Sequence, residues 1–538
     1  MNVKGILRPA LLLAVTMGVI LSGCSKTSSS DEQTAQPTSN FNLTGYPIVK
    51  DKLTLKFVIS KANQQKKNMD QLKVVQDMEA QTNIHIDWDA SEQGYEEKKN
   101  LMFASGDLPD AFFGGSSLTD ADILKYGTQG LLIPLEKLID QYAPNIKKLL
   151  EENPDIKKVV TAPDGHIYSI PNVITEGANE LGEVYFINKT WLDKLGRSVP
   201  TTTAEFEQVL KAFKDQDLNG NGKKDEIPFS FSNGNTLNGI FGLFGSFGLP
   251  DNSSHVMVQD GKVSYTAITP EFKETIKYLN TLYKEGLIDP EAYTQDRNLY
   301  FAKGHSTGGP ILGAFTGYNA ENVVGSENAK NYVPTKPLKG PQGQQIVNMY
   351  ETLAVSKSGF ALTSANKHLE ESMRWIDTIY EERHSIEWEL GPVGVNFKET
   401  NGDKYDFLPT PEGMSYDDFR CSESPCYGGT VAILGDTYKK IELSSKIKTR
   451  LEYLDIYQPF MKKFTLPAGM FFTVEDSDRL NVLSTDISTF VKKKQAQWVI
   501  DGNIDAEWDG YLAQLKKSGL EEFLQIYQNT YDRFQSIK

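Results

Sequence analysis

The sequence has 538 residues, of which 71 are acidic and 56 are basic, giving a formal charge of -15. This negative balance argues against nucleic acid or an anionic lipid surface as a partner. Hydrophobic residues make up 39% of the chain, which is within the globular range, and the length exceeds what one hydrophobic core serves, so two or three lobes are expected.

The first two dozen residues have the layout of an export signal. Lys4 and Arg8 precede an apolar run over 10–21, which is shorter than the roughly 20 residues that a membrane span needs. Two small residues then lead to Cys24. The segment 21–24, Leu-Ser-Gly-Cys, resembles the lipobox of bacterial lipoproteins, which implies that Cys24 is lipidated and becomes the first mature residue. The alternative is an ordinary secretory signal that ends near a cysteine.

We therefore predict a signal peptide over 1–23 and a lipidated cysteine with a flexible tether over 24–45. The tether is polar and rich in Ser and Thr, so it cannot repay the entropy of ordering. Two acyl chains would hold the protein firmly on the extracellular face of the cell membrane. No later segment has the length and apolarity of a membrane span.

Hydrophobic periodicity at the start of the body alternates between the strand and helix periods. The predicted elements are, in order, a strand, a helix, a strand, a helix and a short strand: 53–59, 69–78, 84–88, 95–104 and 110–113. Strands separated by helices imply a parallel sheet with right-handed crossovers. Ligands bind beyond the carboxyl ends of such strands, where the segment 113–116 (Phe-Gly-Gly-Ser) lies.

Helical patterns recur later in the chain. Thr202 and Glu205 form a capping-box pattern ahead of a helix whose apolar face runs over 206–213. The last 65 or so residues are predicted to form three helices, from the spacing of their apolar residues.

The remaining cysteines form one local pair. Cys421 and Cys426 are separated by four residues, which permits a small disulfide loop in an exported protein. The alternative is a metal-binding thiol pair, although no nearby His or further Cys completes a zinc site.

Five segments in the same order resemble the family 1 extracellular solute-binding proteins, in particular the long lipoproteins of Bacillus and Paenibacillus type. They are ASGDLPDAFF (104–113), GLLIPLEKLIDQYAPNIKKLLEE (130–152), PDGHIYSIPN (163–172), WLDKLGRSVPTTTAEFEQVLKAFK (191–214) and IDAEWDGYLAQLKKSGLEEFLQIYQNTYDRF (504–534). The resemblance implies an α/β, two-lobed periplasmic-binding-protein-like fold of class II type. Helices flank parallel-rich sheets, and a hinge joins the lobes beside a ligand cleft.

The same resemblance implies a non-enzymatic, monomeric protein that binds an oligosaccharide or a related uronic-acid saccharide. Its partner is the permease of an ABC importer. We predict a first lobe from 46–172 plus 306–360 and a second lobe from 173–305 plus 361–538, with hinge crossings near residues 172, 306 and 360.

The segment 214–228, KDQDLNGNGKKDEIP, places oxygen-bearing side chains at alternate positions with glycines between them. Calcium needs six to eight oxygens and a tight turn. An EF-hand register fits from Asp215, with Gly220 at the turn and Glu226 at position twelve. A second register resembles the calcium loop of alginate-binding family members and uses Asp217, Asn219, Asn221, the Lys223 carbonyl, Asp225 and Glu226. The alternative is a solvated turn. A calcium ion here is expected to be structural.

One motif points to a different class of protein. The pentapeptide GHSTG at 304–308 matches the nucleophile elbow of α/β-hydrolases, and His368 and His384 follow in the right order. An elbow needs a helix directly after Ser306, whereas Thr-Gly-Gly-Pro follows. A surface hydrolase acting on polysaccharide or ester through Ser306 is therefore the alternative function.

A sugar cleft needs aromatic faces for pyranose rings and polar groups for hydroxyls. Aromatic residues near glycine-rich loops, together with one asparagine, are the candidate ligand contacts: Phe113, Tyr185, Phe247, Phe315, Tyr318, Trp388 and Asn396. By resemblance, 315–319 and 391–396 are ligand-facing loops. The second departs from the family's acidic pattern, so ligand specificity does not transfer directly.

Overall fold

The computed structural model describes residues 40–61, 65–175, 180–234, 236–350, 353–400, 404–412, 414, 416–443, 445–467 and 469–537. The predicted signal peptide and Cys24 lie outside these ranges. Among the described residues, no helix combines the length and the apolarity required to cross a bilayer.

The strands are Leu53–Ser60 (β1), Ile84–Ser91 (β2), Ala111–Phe113 (β3), Ile170–Thr175 (β4), Val184–Asn188 (β5), Ile227–Ser230 (β6), Val256–Gln259 (β7), Lys262–Tyr265 (β8), Leu312–Gly317 (β9), Tyr332–Pro334 (β10), Val347–Asn348 (β11), Leu353–Leu362 (β12), Phe397–Thr400 (β13), Lys404–Phe407 (β14), Ala432–Ile433 (β15) and Met461–Lys462 (β16). The α-helices are Lys73–Thr82 (α1), Tyr95–Ser105 (α2), Asp120–Thr128 (α3), Glu136–Tyr142 (α4), Pro144–Glu152 (α5), Pro154–Val160 (α6), Lys189–Lys194 (α7), Thr203–Lys214 (α8), Phe241–Gly245 (α9), Pro270–Lys284 (α10), Arg297–Gly304 (α11), Ala320–Ala329 (α12), Leu369–Ile379 (α13), Glu382–Leu390 (α14), Tyr416–Glu423 (α15), Gly435–Tyr438 (α16), Ser445–Tyr457 (α17), Val474–Asp501 (α18), Ile504–Lys517 (α19) and Leu520–Ser536 (α20). Short 3-10 turns occupy Met69–Gln71, Thr266–Ile268, Cys426–Gly428 and Gln458–Phe460.

The first sheet has the strand order β15-β4-β12-β3-β1-β2. Its predicted opening is confirmed, because β1 pairs in parallel with both β2 and β3. β12 runs antiparallel to β3 and β4, so the sheet is mixed. An aromatic cluster fills its core, in which the Phe57 ring lies 5.2 Å from Trp375 and Phe113 lies 5.7 Å from Trp388.

The second sheet has the order β10-β5-β9-β6. β6 and β9 are parallel, whereas β5 is antiparallel to both of its neighbours. The predicted capping box begins α8 beside this sheet, where the Thr202 hydroxyl accepts from the Glu205 N–H at 3.1 Å. The three predicted C-terminal helices, α18 to α20, share a hydrophobic core with this sheet and α10.

Each sheet with its helices forms one lobe of an α/β, two-lobed fold. The first lobe runs from Phe41 to β4 and from β12 to about residue 443, and the second takes the segments between and after these. The predicted assignment of 306–350 to the first lobe and 361–443 to the second is wrong, because β9 pairs with β5 while β15 pairs with β4. Periodicity identifies a strand but carries no information about which sheet the strand joins.

The predicted tether is too long by several residues. The Phe41 ring packs 5.8 Å from Tyr142, and Arg374 donates to the carbonyls of Asn42 and Gly45 at 2.8 and 3.1 Å. The body of the protein therefore begins at Phe41, on the first lobe.

Candidate functional site

The carboxyl ends of the parallel strands in the second sheet meet the segments that join the two lobes. β6 ends at Ser230 and β9 at Gly317, and the antiparallel β5 begins at the same edge with Val184. Ligands bind beyond such carboxyl ends in open α/β sheets. This edge is therefore the candidate binding site.

Two crossing segments run side by side at this edge. Leu181 forms an antiparallel bridge with Met349, and the Tyr350 N–H donates to the Glu180 carbonyl at 2.9 Å. The predicted crossings near 172 and 360 fall inside β4 and β12 of the first lobe. The predicted crossing near 306 is wrong, because that residue lies between α11 and β9 of the second lobe.

A small cavity lies against the crossing segments. It is lined by Gly182, Glu183, Phe241, Gly242, Asp251, Val347, Asn348, Tyr350 and Tyr457. A Cβ atom at Gly182 would lie 2.5 Å from the Tyr350 ring, so glycine is required for that ring to pack against the crossing strand.

Two buried carboxyl groups face this cavity. Glu183 accepts a hydrogen bond from the Gly242 N–H at 2.5 Å, and burial raises the pKa of Glu183 to about 7. Asp251 accepts from the Thr266 hydroxyl at 2.5 Å and lies 2.9 Å from Nδ1 of His255. Asp251 is thus held by partners, whereas Glu183 bears most of its desolvation cost alone.

Neutral polar groups also line the cavity. Among the described residues, neither amide atom of Asn348 nor the Tyr350 hydroxyl has a hydrogen-bond partner of good geometry, although the two side chains lie near each other. Buried polar groups normally have such partners. The cavity has room for about one water molecule, so these groups can bind a water or a single ligand hydroxyl. Sequence reasoning missed this set. The one sequence feature that could have pointed to these residues is an acid, Glu183, placed directly before an apolar strand.

Most of the predicted ligand contacts are core residues. Phe113 and Phe315 have no exposed surface, Trp388 is 1% exposed, and Tyr185 is buried against Phe229. These rings cannot stack on a sugar without leaving the core, so the structure contradicts their proposed role. A glycine beside an aromatic residue can mark close packing as well as an open loop.

The predicted polar contact is also buried. Asn396 has no exposed surface, because its side chain fills the space over Gly391, where a Cβ atom would lie 2.2 Å from Oδ1. Phe247 and Tyr318 remain half-buried. Tyr318 directly follows β9 at the candidate site, while Phe247 packs 5.4 Å from the Tyr278 ring. Tyr318 is therefore the aromatic candidate that the structure favours.

The predicted ligand-facing turn at 113–116 is covered by the cysteine loop. The structure joins Cys421 and Cys426 in a disulfide, the pairing that the spacing predicts. A Cβ atom at Gly114 would lie 2.4 Å from the Gly428 carbonyl oxygen. The loop after Cys426 thus crosses directly over the end of β3.

The predicted calcium loop lies between α8 and β6. Asp217 accepts hydrogen bonds from the N–H groups of Gly220 and Gly222 at 2.8 and 2.9 Å, and both glycines have φ of +76°. The side-chain amides of Asn219 and Asn221 donate to Asp225 at 2.9 to 3.1 Å, which holds the pKa of Asp225 below its usual value.

The donor chemistry of this loop fits a hard cation. Glu226 closes the loop by accepting from the Leu218 and Asn219 N–H groups at 2.8 and 3.2 Å. Within the described part of the chain, no three acidic, His or Cys side chains come together as a metal site. Amide and carbonyl oxygens would therefore have to complete the oxygen set that calcium prefers.

The candidate serine nucleophile has no elbow. Ser306 lies in the irregular segment between α11 and β9, and a strand rather than a helix follows it. His368 and His384 belong to the first lobe, where His384 lies 2.9 Å from Gln81. The local geometry on which nucleophile activation depends is absent around Ser306 in the described residues.

The family model for bacterial extracellular solute-binding proteins matches residues 73–382. The chain belongs to this family. It is 36% identical to the fructooligosaccharide ABC transporter substrate-binding protein FusA of Streptococcus pneumoniae, and the alignment covers all of both chains. By this membership the chain is a solute-binding protein and not an enzyme.

Solved structures agree with this membership. FusA in complex with kestose superposes with a TM-score of 0.76 and covers 90% of this chain and 100% of its own. An EF-hand mutant of FusA, in complex with fructo-nystose, gives the same score. The predicted periplasmic-binding-protein-like fold is confirmed.

Two more distant relatives bear on the calcium and lipid predictions. The alginate-binding protein AlgQ2, solved without calcium ion, is 25% identical with a TM-score of 0.64, covering 92% of this chain and 99% of its own. Lipoprotein LipO of Bacillus subtilis is 25% identical over 59% of this chain and 62% of its own.

Proposed function

We propose that this solute-binding protein captures an extracellular oligosaccharide between its lobes and delivers it to the membrane subunits of an ABC importer. The observation that carries the proposal is the end-to-end relationship to FusA, which covers both chains completely. The position of the candidate site beside the crossing segments supports it, because hinge closure brings both lobes against a bound ligand.

The proposed ligand class is a neutral, fructose-containing oligosaccharide such as kestose. FusA is a fructooligosaccharide-binding protein and has been solved with kestose. The Asn348 amide and Tyr350 hydroxyl supply hydrogen-bond partners for a sugar hydroxyl, and Tyr318 supplies an aromatic face.

Membrane attachment through Cys24 is proposed from the sequence motif at 21–24. LipO, a lipoprotein, is a relative of this chain. A lipid anchor on the outer face would keep the captured solute close to its permease. Incorporation of a labelled fatty acid that is lost in Cys24→Ala tests the anchor, and equal labelling of both proteins would exclude it.

Calcium is proposed as a structural ion in the loop between α8 and β6. Asp217, Asn219, Asn221, the Lys223 carbonyl, Asp225 and Glu226 would hold it. This second register is favoured because the hydrogen-bond network joins these side chains, whereas the Asp215 carboxylate makes no hydrogen bond to the described loop residues. The ion would fix the start of β6, whose other end reaches the candidate site.

A panel of saccharides tests the ligand class. Calorimetry should detect tight binding of kestose, weaker binding of a neutral glucose trisaccharide and weakest binding of trigalacturonate, because two carboxyl groups line the cavity. Tighter binding of trigalacturonate than of kestose would exclude the proposed class. Light scattering on the same samples should give the mass of a monomer.

A further inference from the structure

Arg450 connects three segments of the second lobe around the candidate site. It lies on α17 and has no exposed surface. Its guanidinium donates to the carbonyls of Leu181 and Gly182 in the crossing strand. It also donates to the Tyr318 carbonyl at 2.8 Å. One side chain therefore fastens the crossing strand to the residue that follows β9.

The same guanidinium holds the Tyr318 ring. Its central carbon lies 4.3 Å from the ring centroid, within the range of a cation–π contact. Tyr318 is also fixed from the other side, because the next residue, Asn319, caps α12 by accepting from the Asn322 N–H at 2.9 Å. Both the backbone and the ring of Tyr318 are thus set by groups that do not reach solvent.

The charge of Arg450 persists in its buried place. Burial lowers the pKa of Arg450 to about 10, and the nearby Glu183 carboxylate opposes that shift. The guanidinium therefore remains protonated at neutral pH. Because it is fully buried, it acts on a ligand only through the residues that it holds.

We propose that Arg450 is a positioning residue for oligosaccharide capture, which fixes the Tyr318 ring relative to the crossing strand so that hinge closure presents the ring to the sugar. This inference rests on the proposed function. These contacts require the planar guanidinium of arginine with its several fixed N–H groups, since three carbonyls and one ring surround it. Lysine keeps the charge but cannot serve all four contacts.

A double-mutant cycle on kestose affinity tests this role. Arg450→Lys and Tyr318→Leu should each weaken binding by about tenfold, and the double variant should be no weaker than the poorer single variant. Tyr318→Phe, which keeps the ring, should stay within about twofold of the wild type. Melting temperatures are measured in parallel, since a purely structural role would lower stability without this non-additive pattern in affinity.

Each outcome of the cycle has a distinct meaning. Independent, multiplying effects of the two substitutions, or wild-type affinity in Arg450→Lys, would overturn the positioning role. If Arg450→Lys does not fold, the Tyr318 variants decide, because equal affinity of the Leu and Phe variants would overturn it. Failure of the wild type to bind any saccharide would instead reject the proposed function.

Discussion

The ammonium group of Lys357 lies 3.7 Å from the centroid of the Phe471 ring. Lys357 belongs to β12 of the first lobe, where it also pairs with Asp120. Phe471 precedes α18, and its carbonyl accepts from Arg533 of α20 at 2.7 Å. Since α20 packs on the second lobe, this contact joins the lobes at a point other than the segments through which the chain crosses between them.

Phe471→Ala should loosen that junction. Phe471 is buried in a first-lobe cluster, and truncation of such a ring lowers the free energy of unfolding by about 3 kcal/mol or more. We also expect a larger radius of gyration without ligand, measured by small-angle scattering. Leu299→Ala is the control, because Leu299 is 46% exposed and should change stability by less than about 0.5 kcal/mol. Equal effects of the two substitutions would contradict the junction.

Glu183 makes stability depend on pH in a defined direction. Its pKa is raised from 4.5 to about 7 in the folded protein, so between these values the folded state holds a proton that the unfolded state lacks. The free energy of unfolding therefore falls as pH rises from about 4.5 to 7, by about 1.4 kcal/mol per unit from this group.

Glu183→Gln should remove that contribution while keeping an acceptor for the Gly242 N–H. Denaturant unfolding of both proteins at several pH values checks this, and the difference between their curves should flatten above pH 7. Glu475→Gln, at an exposed position, should run parallel to the wild type. A wild type and Glu183→Gln that stay parallel from pH 5 to 7 would rule out the assigned role.

Chelation should lower the melting temperature if the loop at 217–226 holds calcium. Asp217→Asn with Glu226→Gln should abolish the response to chelator, because two of the carboxylate ligands are lost. Asp215→Asn is the matched control and also separates the two registers. It should keep the response in the second register and lose it in the EF-hand register. A wild-type melting curve that ignores chelator, with no metal found by elemental analysis, would reject the calcium site.

Gly340 is required for α9 to pack beside the candidate site. A Cβ atom there would lie 1.5 Å from the Ser246 carbonyl oxygen, which is backbone and cannot move aside cheaply. Gly340→Ala should lower the free energy of unfolding by about 3 kcal/mol. Gly435→Ala meets no atom within 4 Å and should leave stability nearly unchanged, so equal denaturation midpoints for the two variants would contradict the packing argument.

The sequence predicted local features well because their causes are local. The alternation of Leu55, Phe57 and Ile59 with their neighbours reflects one buried face of β1. The capping box at Thr202 joins residues three apart. The Cys421 and Cys426 pairing likewise needs only a short loop. Pairing between strands that are distant in sequence has no local cause and was not predicted. Nothing in 312–317 reveals that β9 joins β5, which is why the lobe boundaries were wrong.

The burial of most of the aromatic candidates could not be foreseen for the same reason. Phe113, Phe315 and Trp388 are aromatic residues of the kind that stack on sugar rings, but tertiary packing places them in the core. Asn348 and Tyr350 became visible as candidates only through the absence of hydrogen-bond partners of good geometry among the described residues, which requires coordinates. Arg450 is more than 260 residues from Leu181 in sequence, so its role could not be read from any local pattern.

The most direct test of the central claim is a calorimetric titration of the wild-type protein with kestose, followed by scattering of the complex and chromatography of the released sugar. We expect saturable binding with one site per chain, a smaller radius of gyration on saturation and recovery of intact kestose. Absence of binding across the saccharide panel, or release of sucrose and fructose in place of kestose, would contradict the claim.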